Sequence, residues 1–213
     1  MKPLILASSS PRRFDLLTAV GLAFTVARPD IDETPQPGEA PADYVLRLSL
    51  QKAWAVSTGS MASLDSGVIL SADTTVVDGD QILGKPDDAE HAAAMLRQLR
   101  NRVHVVHTGI TLLDAGSGQS TSRLTTTRVT MRPYTDEEIA AYVASGDPIG
   151  KAGGYAIQHA GFHPVARLDG CYTNVVGLPL CTVIAALAEY GIWPRRTITC
   201  SPTRPPCEFG PQV

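Results

Sequence analysis

The stretch LILASSSPRRFDLLTAVG, residues 4 to 21, governs how the chain is read. A short apolar run, Leu4–Ala7, stops at three serines, and a proline and two arginines follow. The run suits a short buried strand. Ser10-Pro11 is a helix-start signal, with a hydroxyl at the N-cap and proline in the first turn. Leu16, Leu17 and Val20 give that helix an apolar stripe, and Gly21 ends it. A strand running into a helix N-terminus presents unpaired amides and the positive end of the helix dipole. Serine hydroxyls add donors, and guanidinium groups grip phosphate oxygens as a fork. SSSPRR thus has the makings of an anion site. Taken alone, it reads equally as a plain N-cap followed by two solvated arginines.

Outward from this junction, FTVA (24–27) predicts a second strand that leads into the acidic loop RPDIDETPQPGEAP. A helix is expected from about Ala42 to Thr58, with Tyr44, Val45, Leu48 and Ala55 facing inward. VILSADTTVVDG has a strand pattern that ends at the Asp78-Gly79 turn. Asp87-x-x-Glu90 resembles a capping box and opens a helix over DDAEHAAAMLRQLR. VHVVHTGITLLDA and STSRLTTTRVTM, joined by GSGQ, predict an antiparallel hairpin. Thr135-x-x-Glu138 is a capping box opening TDEEIAAYVAS. A short strand near Pro164–Leu168 and a last helix from Pro179 to Tyr190 follow. Strands and helices do not alternate strictly, so the expected class is α/β with a mixed sheet. Residues 1–194 read as one domain, and the Pro-rich, aperiodic 195–213 as a loose tail.

The chain has 213 residues, 44% hydrophobic and 18% charged, enough for a full core. A net charge of −3 argues against nucleic-acid or anionic-membrane partners, so any affinity for phosphate must be local. Four cysteines without a C-x-x-C pair predict reduced thiols. The arginines follow the first apolar run, the reverse of a signal peptide. Val175 to Trp193 contains Pro179 and Glu189 and reads as a loop and buried helix, not a membrane span. A soluble, cytoplasmic protein is expected.

Asp73 interrupts a strand otherwise fit for burial on both faces. A bare carboxylate there is costly unless it is paired, metal-bound or set in a cleft. The plainer alternative is a strand-end aspartate bonded to backbone. Asp30, Asp32 and Glu33 crowd one loop that solvent alone could hold. Carboxylates from separate segments suit a hard cation such as Mg²⁺, which takes one or two protein oxygens plus substrate phosphate. Lys85 in ILGKP and Lys52 in LSLQKAWA each read, alone, as solvated charges. Histidine metal sites are not expected: His104 and His107 point to opposite faces of a strand, and Gly161 and Pro164 oppose a helix across His159 and His163. Neither G-x-S-x-G, a Walker A loop nor a dinucleotide fingerprint is present.

SSSPRR, IDE, QKA, SADTTVV, LGKP, KAGGYAIQ and NVVGLP, in this order, closely resemble the Maf family of nucleoside triphosphate pyrophosphatases, also described as septum-formation inhibitors. The likeness runs from about residue 4 to 191. It implies an elongated α/β fold with two lobes around a cleft, related to the inosine-triphosphate pyrophosphatase fold. It also implies hydrolysis of a nucleoside triphosphate to monophosphate and pyrophosphate with Mg²⁺ or Mn²⁺. Carried over motif by motif, Ser9, Arg12 and Arg13 serve the phosphates, and Glu33, Lys52, Asp73 and Lys85 line the cleft. Gln158 lies near the base, with Thr74 assisting. Asp73 is the expected general base and, with Glu33, the expected metal ligand.

Arg12-Arg13, Asp73-Thr74 and Gln158 are similar to the branch acting on dTTP and UTP. Gly150 stands where many members have Asp, His159 where Gly is common, and Cys171 where Ser is common. These departures flank Gln158 and bear on base preference more than on chemistry. The resemblance leaves a homodimer open. Its second name supports a rival reading, a regulatory protein that binds nucleotide and acts on cell division through partners.

Overall fold

The computed structural model of the protein describes residues 2–59 and 66–196. Strand β1 (Leu4–Ala7) pairs in parallel with β2 (Thr25–Ala27) on one side and β3 (Val68–Asp78) on the other. The Asp78-Gly79 turn leads from β3 into antiparallel β4 (Gln81–Leu83). Strand β5 (Val103–Asp114) lies antiparallel to β3, and β6 (Ser120–Met131) to β5, as the hairpin pattern predicts. Strand β7 (Val165–Asp169) closes the edge, giving the order β2-β1-β3-β5-β6-β7 with β4 on β3. The helices are α1 (Pro11–Ala19), α2 (Pro41–Thr58), α3 (Ala89–Leu99), α4 (Asp136–Ala144), α5 (Tyr172–Val176) and α6 (Leu180–Ala188). The mixed α/β class expected from the sequence is the class observed.

Several local expectations shift. Ser10 is the N-cap of α1, but its side chain makes no cap bond; the Ser8 hydroxyl instead accepts from the Ser10 amide at 3.1 Å. Asp88, not Asp87, caps α3, accepting from His91 N at 2.8 Å. The Thr135–Glu138 capping box of α4 forms in both directions. Helix α5 is new: five residues are too few to announce themselves by periodicity. The last helix is shorter than Pro179 to Tyr190. Cys171 is free but Cys181 is disulfide-bonded, a departure from four reduced thiols. Arg195 and Arg196, the first two residues of the expected tail, are tied to the body: their amides both donate to Val20 O, at 3.0 and 3.1 Å. Residues 197–213 lie outside the described residues. No helix among the described residues is long and apolar enough to cross a membrane.

Two main apolar cores share the long strands. Leu6, Leu17, Leu70, Leu112 and Ile184 belong to one, and Val76, Leu96, Val129, Ile139 and Phe162 to the other. Strand β3 feeds the first through Leu70 and Ala72 and the second through Val76. The polar step Asp73-Thr74-Thr75 falls at the seam between them. A smaller core of Ile5, Ala53, Val56, Ile69 and Leu113 seats α2. The buried face of α2 is Val45, Leu48, Ser49, Lys52, Ala53 and Val56, while Tyr44 and Ala55 are only half-buried. Helix α2 comes close to the sheet because Gly109 of β5, the cross-strand neighbour of Asp73, has no side chain. A Cβ there would lie 2.5 Å from Val45 O.

Candidate active site

The seam opens as one cleft, lined by all nine residues singled out in the sequence. Asp73, Lys52 and Glu33 form its acid–lysine floor. Lys52 Nζ lies 2.6 Å from Asp73 Oδ1 and 2.6 Å from Glu33 Oε1, joining β3, α2 and the acidic loop. Lys85, mostly solvent-exposed, stands 3.8 Å from Glu33 Oε2. The expectation that Lys52 alone reads as a solvated charge is overturned, since it is 7% exposed. It tolerates burial because two carboxylates share its charge.

Burial pushes the Asp73 carboxyl above the usual carboxylate range, and the charges of Lys52 and Arg13 offset this only in part. Burial also acts to raise Glu33, but the hydrogen bond and charge of Lys52, with Lys85 and Arg13, outweigh it and hold Glu33 low. The two acids thus diverge, a pattern common where one carboxylate handles protons and the other stays ionised. Asp73 Oδ2 takes no hydrogen bond from the described residues and is not sealed off.

At the rim the two arginines behave differently. Arg13 donates from Nε to Gly177 O at 2.8 Å, from Nη1 to Ser8 Oγ at 3.3 Å and from Nη2 to Thr74 Oγ1 at 3.2 Å. Three of its five N–H groups therefore fasten α1 to β3 and to the turn after α5. Among the described residues Arg12 is engaged only through Nε, which donates to Val176 O at 3.3 Å, and both terminal nitrogens are left for a ligand. Burial draws both guanidinium pKa values down, Arg12 against the charge of Asp147 and Arg13 against that of Asp73. Ser9 is exposed at the rim. Thr74 Oγ1 lies 2.9 Å from Thr108 Oγ1 and donates to Gly177 O at 3.3 Å, so its hydroxyl holds Arg13 and the turn instead of reaching for a base.

Gln158 is exposed and lines the cleft, in the segment from Gly150 that also brings Lys151 and Tyr155 to it. Lys151 Nζ is held by the side chain of Asp147 at 3.0 Å. The lining also includes Ser8, Tyr44 and Lys151, polar residues that the sequence does not assign to the site. Lys151 stands in the KAGG stretch already noted, and Ser8 opens the serine run. Tyr44 has no local signal, because its helical position reads as core.

The donor set suits a hard divalent cation. Asp73 Oδ2 and Glu33 Oε2 are the oxygens that Lys52 does not take. No cluster of three or more His, Cys, Asp or Glu that could hold a metal exists among the described residues. Water and substrate phosphate would have to complete the shell, as is usual for Mg²⁺.

The family described as Maf-like protein matches residues 3–190. The chain belongs to the Maf family. It is 45% identical over 191 residues to a dTTP/UTP pyrophosphatase of Pelotomaculum thermopropionicum, covering 90% of this chain and 98% of that protein. It is 46% identical over 188 residues to a dTTP/UTP pyrophosphatase of Geobacter sulfurreducens, covering 88% and 96%. Among solved structures, the Staphylococcus aureus Ham1 protein is similar with a TM-score of 0.45 and 14% identity, over 77% of this chain and 80% of that one.

Proposed function

We propose that this protein hydrolyses dTTP and UTP to the nucleoside monophosphate and pyrophosphate. One observation carries the reading: a lysine-bridged pair of carboxylates and an arginine- and serine-bearing helix start line the same cleft. The name dTTP/UTP pyrophosphatase, borne by relatives at 45 and 46% identity, supports the choice of substrate.

Arg12, Ser9 and the first amides of α1 hold the triphosphate, and Lys85 neutralises charge at the mouth. The Asp73 carboxylate takes a proton from water as the water oxygen bonds to the α-phosphorus. The α–β anhydride bond breaks, pyrophosphate leaves with the bonding pair, and the proton passes from Asp73 to solvent. In the cation-free protein burial holds the Asp73 carboxyl above the usual carboxylate range, the direction that favours proton uptake. Asp73 and Glu33 would hold a Mg²⁺ or Mn²⁺ ion, which supplies positive charge at the α-phosphate. Lys52 fixes both carboxylates. No covalent nucleophile is needed; positioning and charge stabilisation carry the rate. Gln158 reads the base, since its amide both donates to a pyrimidine carbonyl and accepts from the ring N–H.

Incubation with dTTP and Mn²⁺, followed by an assay of the products, tests the reading. Pyrophosphate and dTMP in equal amounts are expected. Orthophosphate release would make the protein a phosphatase, and binding without turnover would make it a regulatory nucleotide sensor.

A further inference from the structure

Glu33 stands in a loop without regular structure. No backbone-to-backbone hydrogen bond among the described residues joins residues 30–35 to any other part of the chain. Something else must hold its carboxylate against Lys52.

Helix α2 supplies the hold. Tyr44 Oη donates to Glu33 O at 2.8 Å, and Arg47 Nη2 donates to the next carbonyl, Thr34 O, at 3.2 Å. Tyr44 and Arg47 are three residues apart and so share one face of the helix. Arg47 also grips Glu39, further along the same loop, through Nε at 2.6 Å and Nη2 at 2.7 Å. Its guanidinium lies 5.6 Å from the Tyr44 ring centroid. About two turns beyond Tyr44, Lys52 takes the Glu33 carboxylate itself. One helix therefore holds the backbone of Glu33 at one end and its side chain at the other. The Tyr44 hydroxyl is pushed up to about 12 by burial and by the charges of Asp73 and Glu33, so it remains a donor at neutral pH.

We infer that Tyr44, braced by Arg47, is a positioning residue that sets the Glu33 carboxylate on the shared lysine beside Asp73. This rests on the reading of Glu33 as part of the reacting centre. Tyr44 acts through Glu33 and touches no reacting atom. A tyrosine that merely stabilised the fold would cost activity whatever stood at 33. A tyrosine that bound nucleotide would raise KM.

A double-mutant cycle separates these roles. Tyr44→Phe keeps the ring and removes only the hydroxyl. Parent, Tyr44→Phe, Glu33→Gln and the double variant are compared with dTTP and Mn²⁺, using steady-state kinetics, single turnover with enzyme in excess, and thermal unfolding. Tyr44→Phe is expected to lower kcat roughly five-fold, the loss of one hydrogen bond, with KM and Tm little changed. In the Glu33→Gln background the same change should cost nothing further, because interacting residues are non-additive. Equal losses in both backgrounds, a rise in KM at unchanged kcat, or full activity in Tyr44→Phe would overturn the inference. Full activity in Glu33→Gln would instead remove Glu33 from the mechanism and take the inference with it.

Discussion

Lys52 Nζ is one ammonium between two carboxylates, and the electrostatics of the cleft follow from that sharing. Asp73 receives only part of a positive charge, too little to offset its burial, so its pKa rises. The folded pKa lies above the unfolded one. The stability contributed by this group is therefore present below the unfolded pKa and is lost as pH rises through the folded pKa. Asp73→Asn should abolish pyrophosphate release while Tm at pH 7 equals or exceeds that of the parent, with the difference closing towards pH 4. A lower Tm at pH 7 would show that the Lys52 pair outweighs burial. In Lys52→Met the largest opposing charge is gone, so the acid limb of residual kcat/KM should move to higher pH; an unmoved limb would exclude Asp73 as the base. The arginines should also separate. Arg13→Lys gives up most of three protein hydrogen bonds and is expected to lower stability by about 2 kcal/mol. Arg12→Lys should leave Tm unchanged and raise KM for dTTP, since a lysine keeps the charge but loses the fork. If both variants melt together, the division of labour between neighbouring arginines fails.

Helix α2 carries most of what the sequence concealed. Its inward face includes Ser49 and Lys52, whose partners lie far along the chain: Thr111 Oγ1 at 2.8 Å from Ser49 Oγ, and Asp73 for Lys52. Helical periodicity sorts apolar from polar, so it cannot mark a lysine as buried until the opposing acids are placed. Tyr44 shows the reverse error, an aromatic read as core that instead straps a loop. What was legible was local chemistry. The β5–β6 hairpin, the Thr135 capping box and the strand-to-helix junction at the serines each rest on residues a few positions apart. The cleft was legible through seven short motifs in order, while Asp73 alone announced only that it needed a partner. Gly109 gave no sequence signal, yet it sets the distance from α2 to β5. Gly109→Ala brings a methyl against the Val45 carbonyl, and overpacking of this kind typically costs about 1–3 kcal/mol. A fall of several degrees in Tm is expected, together with a loss of kcat as Lys52 is carried away from Asp73. A variant with normal Tm and normal kcat would mean that α2 is free to shift without consequence.

Across the whole molecule, β3 and β5 pass unbroken through both principal cores, pairing from Val68–Asp114 to Val77–Val105. Asp73 lies within this shared ladder, at the base of the cleft. Jaws that grow from the same two beams have no hinge between them. Nucleotide could swing one wall against the other only by bending or twisting the strands they share. Adjustment is left to the segments on the rim, residues 30–39 and 147–158. Amides of Asp73 to Thr75 should then exchange with solvent only on global unfolding, while those rim segments exchange by local opening. Small-angle scattering should give the same radius of gyration with and without a non-hydrolysable analogue of dTTP. A contraction on binding would mean that the beams bend, and that the enzyme closes like a trap instead of receiving its substrate into a slot already cut to width.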